Sequence, residues 1–157
     1  MMKCICGFLR PDEGCVLING KGVGKDMDFP DDMGIIIETP GFLPGATGLK
    51  NLKILASLKG IADEKRIVET IERVGLDPEL KKNVSKYSLG MRQRLGIAQA
   101  IMENPSFLIL DEPFNGLDKH GVAQIRNLIK ELRAEGKTII LASHNPVSYT
   151  HLTLPTI

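Results

Sequence analysis

Apolar positions fall into two rhythms along this chain, and the change from one to the other outlines its architecture. Met2 to Leu9 reads as the end of a helix, and Arg10-Pro11-Asp12-Glu13-Gly14 as a turn. Cys15 to Ile18 is a short apolar strand that stops at Asn19-Gly20, a hairpin-type turn signal. From Lys21 to Asp32 the chain is polar and Gly-rich, which predicts a loop or an irregular edge. Ile35-Ile36-Ile37 is apolar on both faces and β-branched, the composition of a strand buried inside a parallel sheet.

Between Thr47 and Gly75 the spacing becomes helical. Thr47 is a candidate N-cap for a helix that carries Leu49, Leu52, Leu55 and Ala56, and Asp63 caps a second one with Ile67, Val68, Ile71 and Val74 on one face. Gly75 supplies the stop. A third helix starts near Gly90, carries Leu95, Ala98, Ile101 and Met102, and ends by Asn104-Pro105. Phe107-Leu108-Ile109-Leu110 is then a fully apolar strand. Val122, Ile125, Leu128, Ile129 and Leu132 form a helical stripe closed by Gly136, and Thr138 to Ala142 is another buried strand. Phe107 to Ala142 is therefore a βαβ unit, whose strands run parallel with a right-handed crossover. Ligands of such sheets bind at the carboxyl ends of the strands. That rule brings Asp111-Glu112 and Ser143-His144 to one edge, although they are far apart in sequence.

Composition narrows the function. A chain of 157 residues, 43% hydrophobic and 25% charged, can bury the core of one globular domain. With a formal charge of +1 and 4% aromatic residues, neither electrostatic capture of nucleic acid nor base stacking has support. Cys4, Cys6 and Cys15 lack zinc-site spacing and read as reduced thiols. No apolar run reaches the roughly 20 residues of a membrane span, so attachment to a membrane would need another chain.

The strongest chemical signal is Phe107-Leu108-Ile109-Leu110-Asp111-Glu112-Pro113: a buried strand with two carboxylates emerging at its end. Magnesium takes hard oxygen ligands and keeps several waters, so such an aspartate suits a magnesium nucleotide, and a neighbouring carboxylate can polarise an attacking water. The plain alternative is that Asp-Glu-Pro caps the next helix. One helix length earlier stands Tyr87-Ser88-Leu89-Gly90-Met91-Arg92-Gln93-Arg94, with Ser88 at an N-cap position and Gly90 where phosphate could approach the positive helix end. Asn115-Gly116-Leu117-Asp118 follows, and then His144 behind Ile139-Ile140-Leu141-Ala142-Ser143. In order and spacing these segments resemble the signature motif, Walker B, D-loop and switch histidine of ABC transporter ATPases, over nearly all of Met2 to His144.

That resemblance implies an α/β fold, a P-loop NTPase-like parallel sheet core truncated at the N-terminus, occupying residues 1–145 with a helical subdomain at about 47–86. Its cofactors would be ATP and Mg²⁺. Asp111 would hold Mg²⁺ through water, with Glu38, in the place of the Q-loop glutamine, as a second oxygen donor. Glu112 would be the general base, His144 would contact the γ-phosphate, and Ser88 and Gly90 would touch the γ-phosphate bound by the partner subunit. Asp118 would couple the two sites of a nucleotide-sandwich dimer, either a homodimer or a pair of ATPase subunits. A transmembrane permease would place the protein at the cytoplasmic face of the cell membrane. Leu89, Met91 and Glu38 depart from the commonest family pattern, and Ile37-Glu38-Thr39-Pro40-Gly41-Phe42 with Tyr87-Ser88-Leu89-Gly90-Met91 resembles the branch exporting bacitracin-like and lantibiotic peptides.

The loop that cradles phosphate, G-x-x-x-x-G-K-S/T, is not among these residues. Gly24-Lys25 fails as a candidate, with Asn19 where the first glycine belongs and Asp26 where Ser or Thr belongs. Met1-Met2-Lys3-Cys4 resembles the helix that continues from such a loop, so the sequence is expected to be a fragment that binds Mg-ATP weakly by itself. Residues 146–157 lack periodicity and resemble translated sequencing-adaptor sequence; they are expected to be non-native. A soluble ABC protein acting on ribosomes or DNA is the competing class. Its tandem cassettes, coiled-coil insertions and zinc ligands do not occur in these residues, and the near-neutral charge disfavours it.

Overall fold

A computed structural model describes residues 1–38, 41–60 and 63–143. It opens with a short helix, α1 (Met2–Ile5), followed by a hairpin of β1 (Leu17–Ile18) and β2 (Lys21–Gly22). Asn19 and Gly20 both take left-handed backbones, φ 51° and 80°, as a two-residue hairpin turn of the favoured twist requires. The polar stretch after Gly20 therefore begins with a strand rather than a loop. β2 forms because the turn folds Lys21 and Gly22 back onto Ile18 and Leu17, not because of its own side chains.

The main sheet has three parallel strands in the order β3 (Met33–Ile36), β4 (Phe107–Asp111), β5 (Thr138–Ala142). β3 starts two residues before the isoleucine run and leaves Ile37 beyond its end, because register with β4 decides: Met33 faces Phe107 and Ile36 faces Leu110. Gly34 belongs in the strand for a steric reason. A Cβ there would lie 1.9 Å from the Ala100 carbonyl of the helix crossing it. In the central strand Leu108, Ile109 and Leu110 are fully buried, each contributing about 1.5–3 kcal/mol of transfer free energy.

Between β3 and β4 the chain makes a helical excursion. α2 (Gly48–Lys59) is capped by Thr47, whose hydroxyl accepts from Lys50 N, and it ends at Gly60, φ 67°. α3 (Glu64–Arg73) is capped by Asp63, which accepts from Arg66 N at 2.8 Å, and the chain reverses at Gly75, φ 77°. The excursion closes where it opened: Thr47 bridges Asn83, and Val84 N donates to Ala46 O at 2.9 Å. A single 3₁₀ turn (Val84–Lys86) leads into α4 (Leu89–Ile101), which packs on α3 and across β3. α5 (Lys119–Ala134) joins β4 to β5 and buries Ile125, Leu128, Ile129 and Leu132. Arg94 of α4 ties these helices together through the Val74 carbonyl and, at 2.7 Å, Gln124 Oε1.

Candidate functional site

The carboxyl end of β4 holds the site. Asp111 is still within the strand, paired with Ala142, and is half-buried. Glu112 leaves the strand with a left-handed backbone, φ 48°, a conformation that costs a non-glycine residue roughly 1–3 kcal/mol. Four contacts over-determine it. Its N–H donates to Ala142 O at 2.8 Å, and its carbonyl accepts from Asn115 N at 3.1 Å and from Gln93 Nε2 at 3.1 Å. The Ser143 hydroxyl donates to its Oε2 at 3.1 Å. The edge expected from the βαβ reading is thus present in Asp111, Glu112 and Ser143; His144 lies outside the described residues. The alternative role, capping the next helix, belongs instead to Asp118, whose Oδ1 accepts from Gly121 N at 2.8 Å.

The neighbouring strand end supplies Glu38, again with a left-handed backbone, φ 65°. Its carboxylate meets the Lys3 ammonium at 2.6 Å, from α1. The hydrogen bond and charge of Lys3 hold the Glu38 carboxyl below its usual range, and the same bond raises Lys3, with Asp111 adding a smaller electrostatic contribution. Glu38, Asp111 and Glu112 line one cavity of ≈ 180 Å³ together with Leu89, Arg92, Gln93 and Asn115. Thr39 and Pro40 lie outside the described residues.

The start of α4 forms the adjoining wall. Ser88 is exposed, and its hydroxyl accepts from Met91 N at 3.2 Å, so the serine also serves as an ordinary cap. Gly90 has a reason to be small within its own chain. A Cβ there would come within 2.7 Å of Gly116 O, in the turn before α5. Gly116, φ 72°, lies against Leu89, whose Cγ would be 2.5 Å from any Cβ at that position. The signature-like and D-loop-like segments are therefore in contact. Ser88, Gly90 and Asp118 do not line the cavity that holds Glu38, Asp111 and Glu112.

Among the described residues no three His, Cys, Asp or Glu side chains converge as a self-sufficient metal site. The donor set nonetheless suits magnesium, which commonly uses one or two protein carboxylates and completes its shell with water and substrate phosphate. Asp111 and Glu38 are such a pair, with Glu38 engaged by Lys3. Lys3, Gln93 and Arg92 were not anticipated as site residues. Gln93 could have been found from its position one turn after Leu89 on the helix facing the carboxylates. Nothing in the sequence signals Lys3, 35 positions from Glu38.

The family model for ABC transporters matches residues 1–115. The uncharacterized ABC transporter ATP-binding protein YybJ of Bacillus subtilis is 43% identical over 145 residues, covering 92% of this chain and 66% of that protein. The bacitracin transport ATP-binding protein BcrA of Enterococcus faecalis is 45% identical, covering 91% of this chain and 47% of that protein. This chain thus spans about two thirds of the first relative and about half of the second. The dimeric bacterial ABC transporter cassette MJ0796 has the same fold, with a TM-score of 0.81 at 24% identity, over 94% of this chain and 69% of that one.

Proposed function

The chain belongs to the ABC transporter family, as part of an ATP-binding domain, and from that premise we propose that the full-length protein hydrolyses ATP to drive export of peptide antibiotics or similar compounds through a membrane-spanning permease. The observation that carries the hydrolytic role is the end of β4, where Asp111 and Glu112 face one cavity, three hydrogen bonds hold the Glu112 backbone in its strained conformation and a fourth holds its carboxylate. The substrate class rests on the bacitracin transport relative.

In this reading Asp111 and Glu38 would hold Mg²⁺, which would supply neutralisation of phosphate charge. Glu112 accepts the proton of the attacking water. Ser143 orients that carboxylate through its hydroxyl, while Ala142 and Gln93 fix the backbone beneath it. Ser88 and Gly90 meet the γ-phosphate held by a second ATPase subunit, Asp118 couples the paired sites, and His144 contacts the γ-phosphate. No described helix is long and apolar enough to cross a membrane. The protein works at the cytoplasmic face, held there by the permease, and residues 38–58 form the surface that receives a permease helix. Crosslinks from 38–58 that reach only soluble proteins, in cells making the whole transporter, would remove that contact. The catalytic assignment is tested by Glu112→Gln in the full-length gene product: ATP binding persists and hydrolysis is lost. Turnover equal to that of the unaltered protein takes Glu112 out of the base role.

A further inference from the structure

Lys3 sits in the first turn of α1, yet its ammonium ends 2.6 Å from Glu38 Oε1. As a stabilising contact the pair counts for little, because the two side chains are 48% and 70% exposed. Its position is the informative part. Glu38, Asp111 and Glu112 give their cavity three carboxylates against the single guanidinium of Arg92, and Lys3 brings a second cation to the outermost carboxylate. A carboxylate oxygen this close to an ammonium cannot also take a divalent cation at about 2.1 Å without setting two cations against each other.

We propose that the Lys3 ammonium is a displaceable counter-ion for Glu38: it competes with the divalent cation for that carboxylate and, while paired, offsets the repulsion between the carboxylate and the phosphate chain of a metal-free nucleotide. The proposal rests on the nucleotide reading above and adds a positioning residue to it. Lys3 acts through Glu38, so it lowers metal affinity and raises the affinity for metal-free nucleotide. Its flexible stem lets the ammonium leave Glu38 when a cation arrives.

The test is equilibrium binding of an N-methylanthraniloyl-ATP probe to the full-length gene product, once with Mg²⁺ and once with EDTA. Lys3→Met is expected to widen the ratio of the two affinities by about threefold to fivefold, the upper part of the range open to an exposed ion pair. Lys3→Arg, which keeps the charge, stays within about twofold of the unaltered protein. In a Glu38→Gln background the Lys3→Met change no longer widens the ratio. An equal shift of both affinities in Lys3→Met overturns the proposal, as does an undiminished widening without the Glu38 carboxylate. Lys3→Gln is the second neutral variant, and unfolding of both neutral variants would mark Lys3 as structural and reject the counter-ion role. Failure of the unaltered protein to bind the probe in either buffer rejects the nucleotide reading itself, and this proposal with it.

Discussion

Two adjacent strands of the same parallel sheet end in acid, and they hold that acid in opposite ways. At the end of β4, Glu112 is fixed by short-range ties: the Ala142 carbonyl on the neighbouring strand, Asn115 in the following turn, Gln93 across the helix interface and the Ser143 hydroxyl. At the end of β3, the side chain of Glu38 has one ion pair, with a long and half-exposed lysine. Both residues carry left-handed backbones. The difference is that strain at Glu112 is balanced by hydrogen bonds in a half-buried site, whereas Glu38 faces water. A group that must meet a reacting atom benefits from the first arrangement, because misplacement by about 1 Å can cost 100-fold in rate. A group that exchanges partners benefits from the second.

The largest expected effect separates the two carboxylates directly. In the full-length gene product Glu112→Gln should lower ATP turnover by about 10²–10⁴-fold, the usual contribution of a positioned general base. Glu38→Gln should lower it by less than about tenfold, since the amide oxygen can still serve as a donor. Steady-state phosphate release on matched preparations checks both, and equal losses would erase the contrast.

Next comes the strand that leads to Glu38. Gly34→Ala should destabilise the fold by about 3 kcal/mol, because the new methyl meets a backbone carbonyl at 1.9 Å rather than a side chain that could swing away. Urea unfolding measures it, and a change below the error of the method would mean that α4 slides freely over β3.

A smaller loss is expected on the Glu112 side. Gln93→Ala removes the bond to the Glu112 carbonyl and should cost about 1–2 kcal/mol. It should also reduce turnover without a matching change in nucleotide affinity, because Glu112 loses one of its backbone ties. Unaltered stability and turnover together would show that Ala142 and Asn115 suffice.

The smallest effect lies at the opposite ends of the same strands. Asp32, just before β3, accepts from Ser106 N at 2.9 Å, just before β4. The hydrogen bonds of Ser106 hold the Asp32 carboxyl below its usual range. The folded state thus binds this proton more weakly than the unfolded chain does. Its contribution is complete above about pH 4 and disappears as pH falls through the lower folded value. Asp32→Asn should cost less than about 1 kcal/mol at pH 7, given its exposure, and a smaller amount at pH 2. Paired melts at the two pH values read the difference, and an equal cost at both would deny the linkage.

Much of this molecule was legible before any coordinates. The run Phe107 to Leu110, the caps Thr47, Asp63 and Ser88, the stop at Gly75 and the parallel pairing of β4 with β5 all follow from local chemistry, from periodicity and from the helix-length crossover between two apolar strands. The carboxylate edge was legible for the same reason, because a buried strand must release its polar residues where it ends. Other features were decided only by the tertiary structure. β3 took its limits from register with β4 rather than from its isoleucines, and β2 exists because a turn delivered it to a partner. Gly90, which by sequence alone looked small for a phosphate, is also small for the carbonyl of Gly116. Lys3 reached Glu38 only because α1 and β3 meet in space. Sequence pattern reports what each residue needs along its own element; which distant group answers that need is set by how the elements pack.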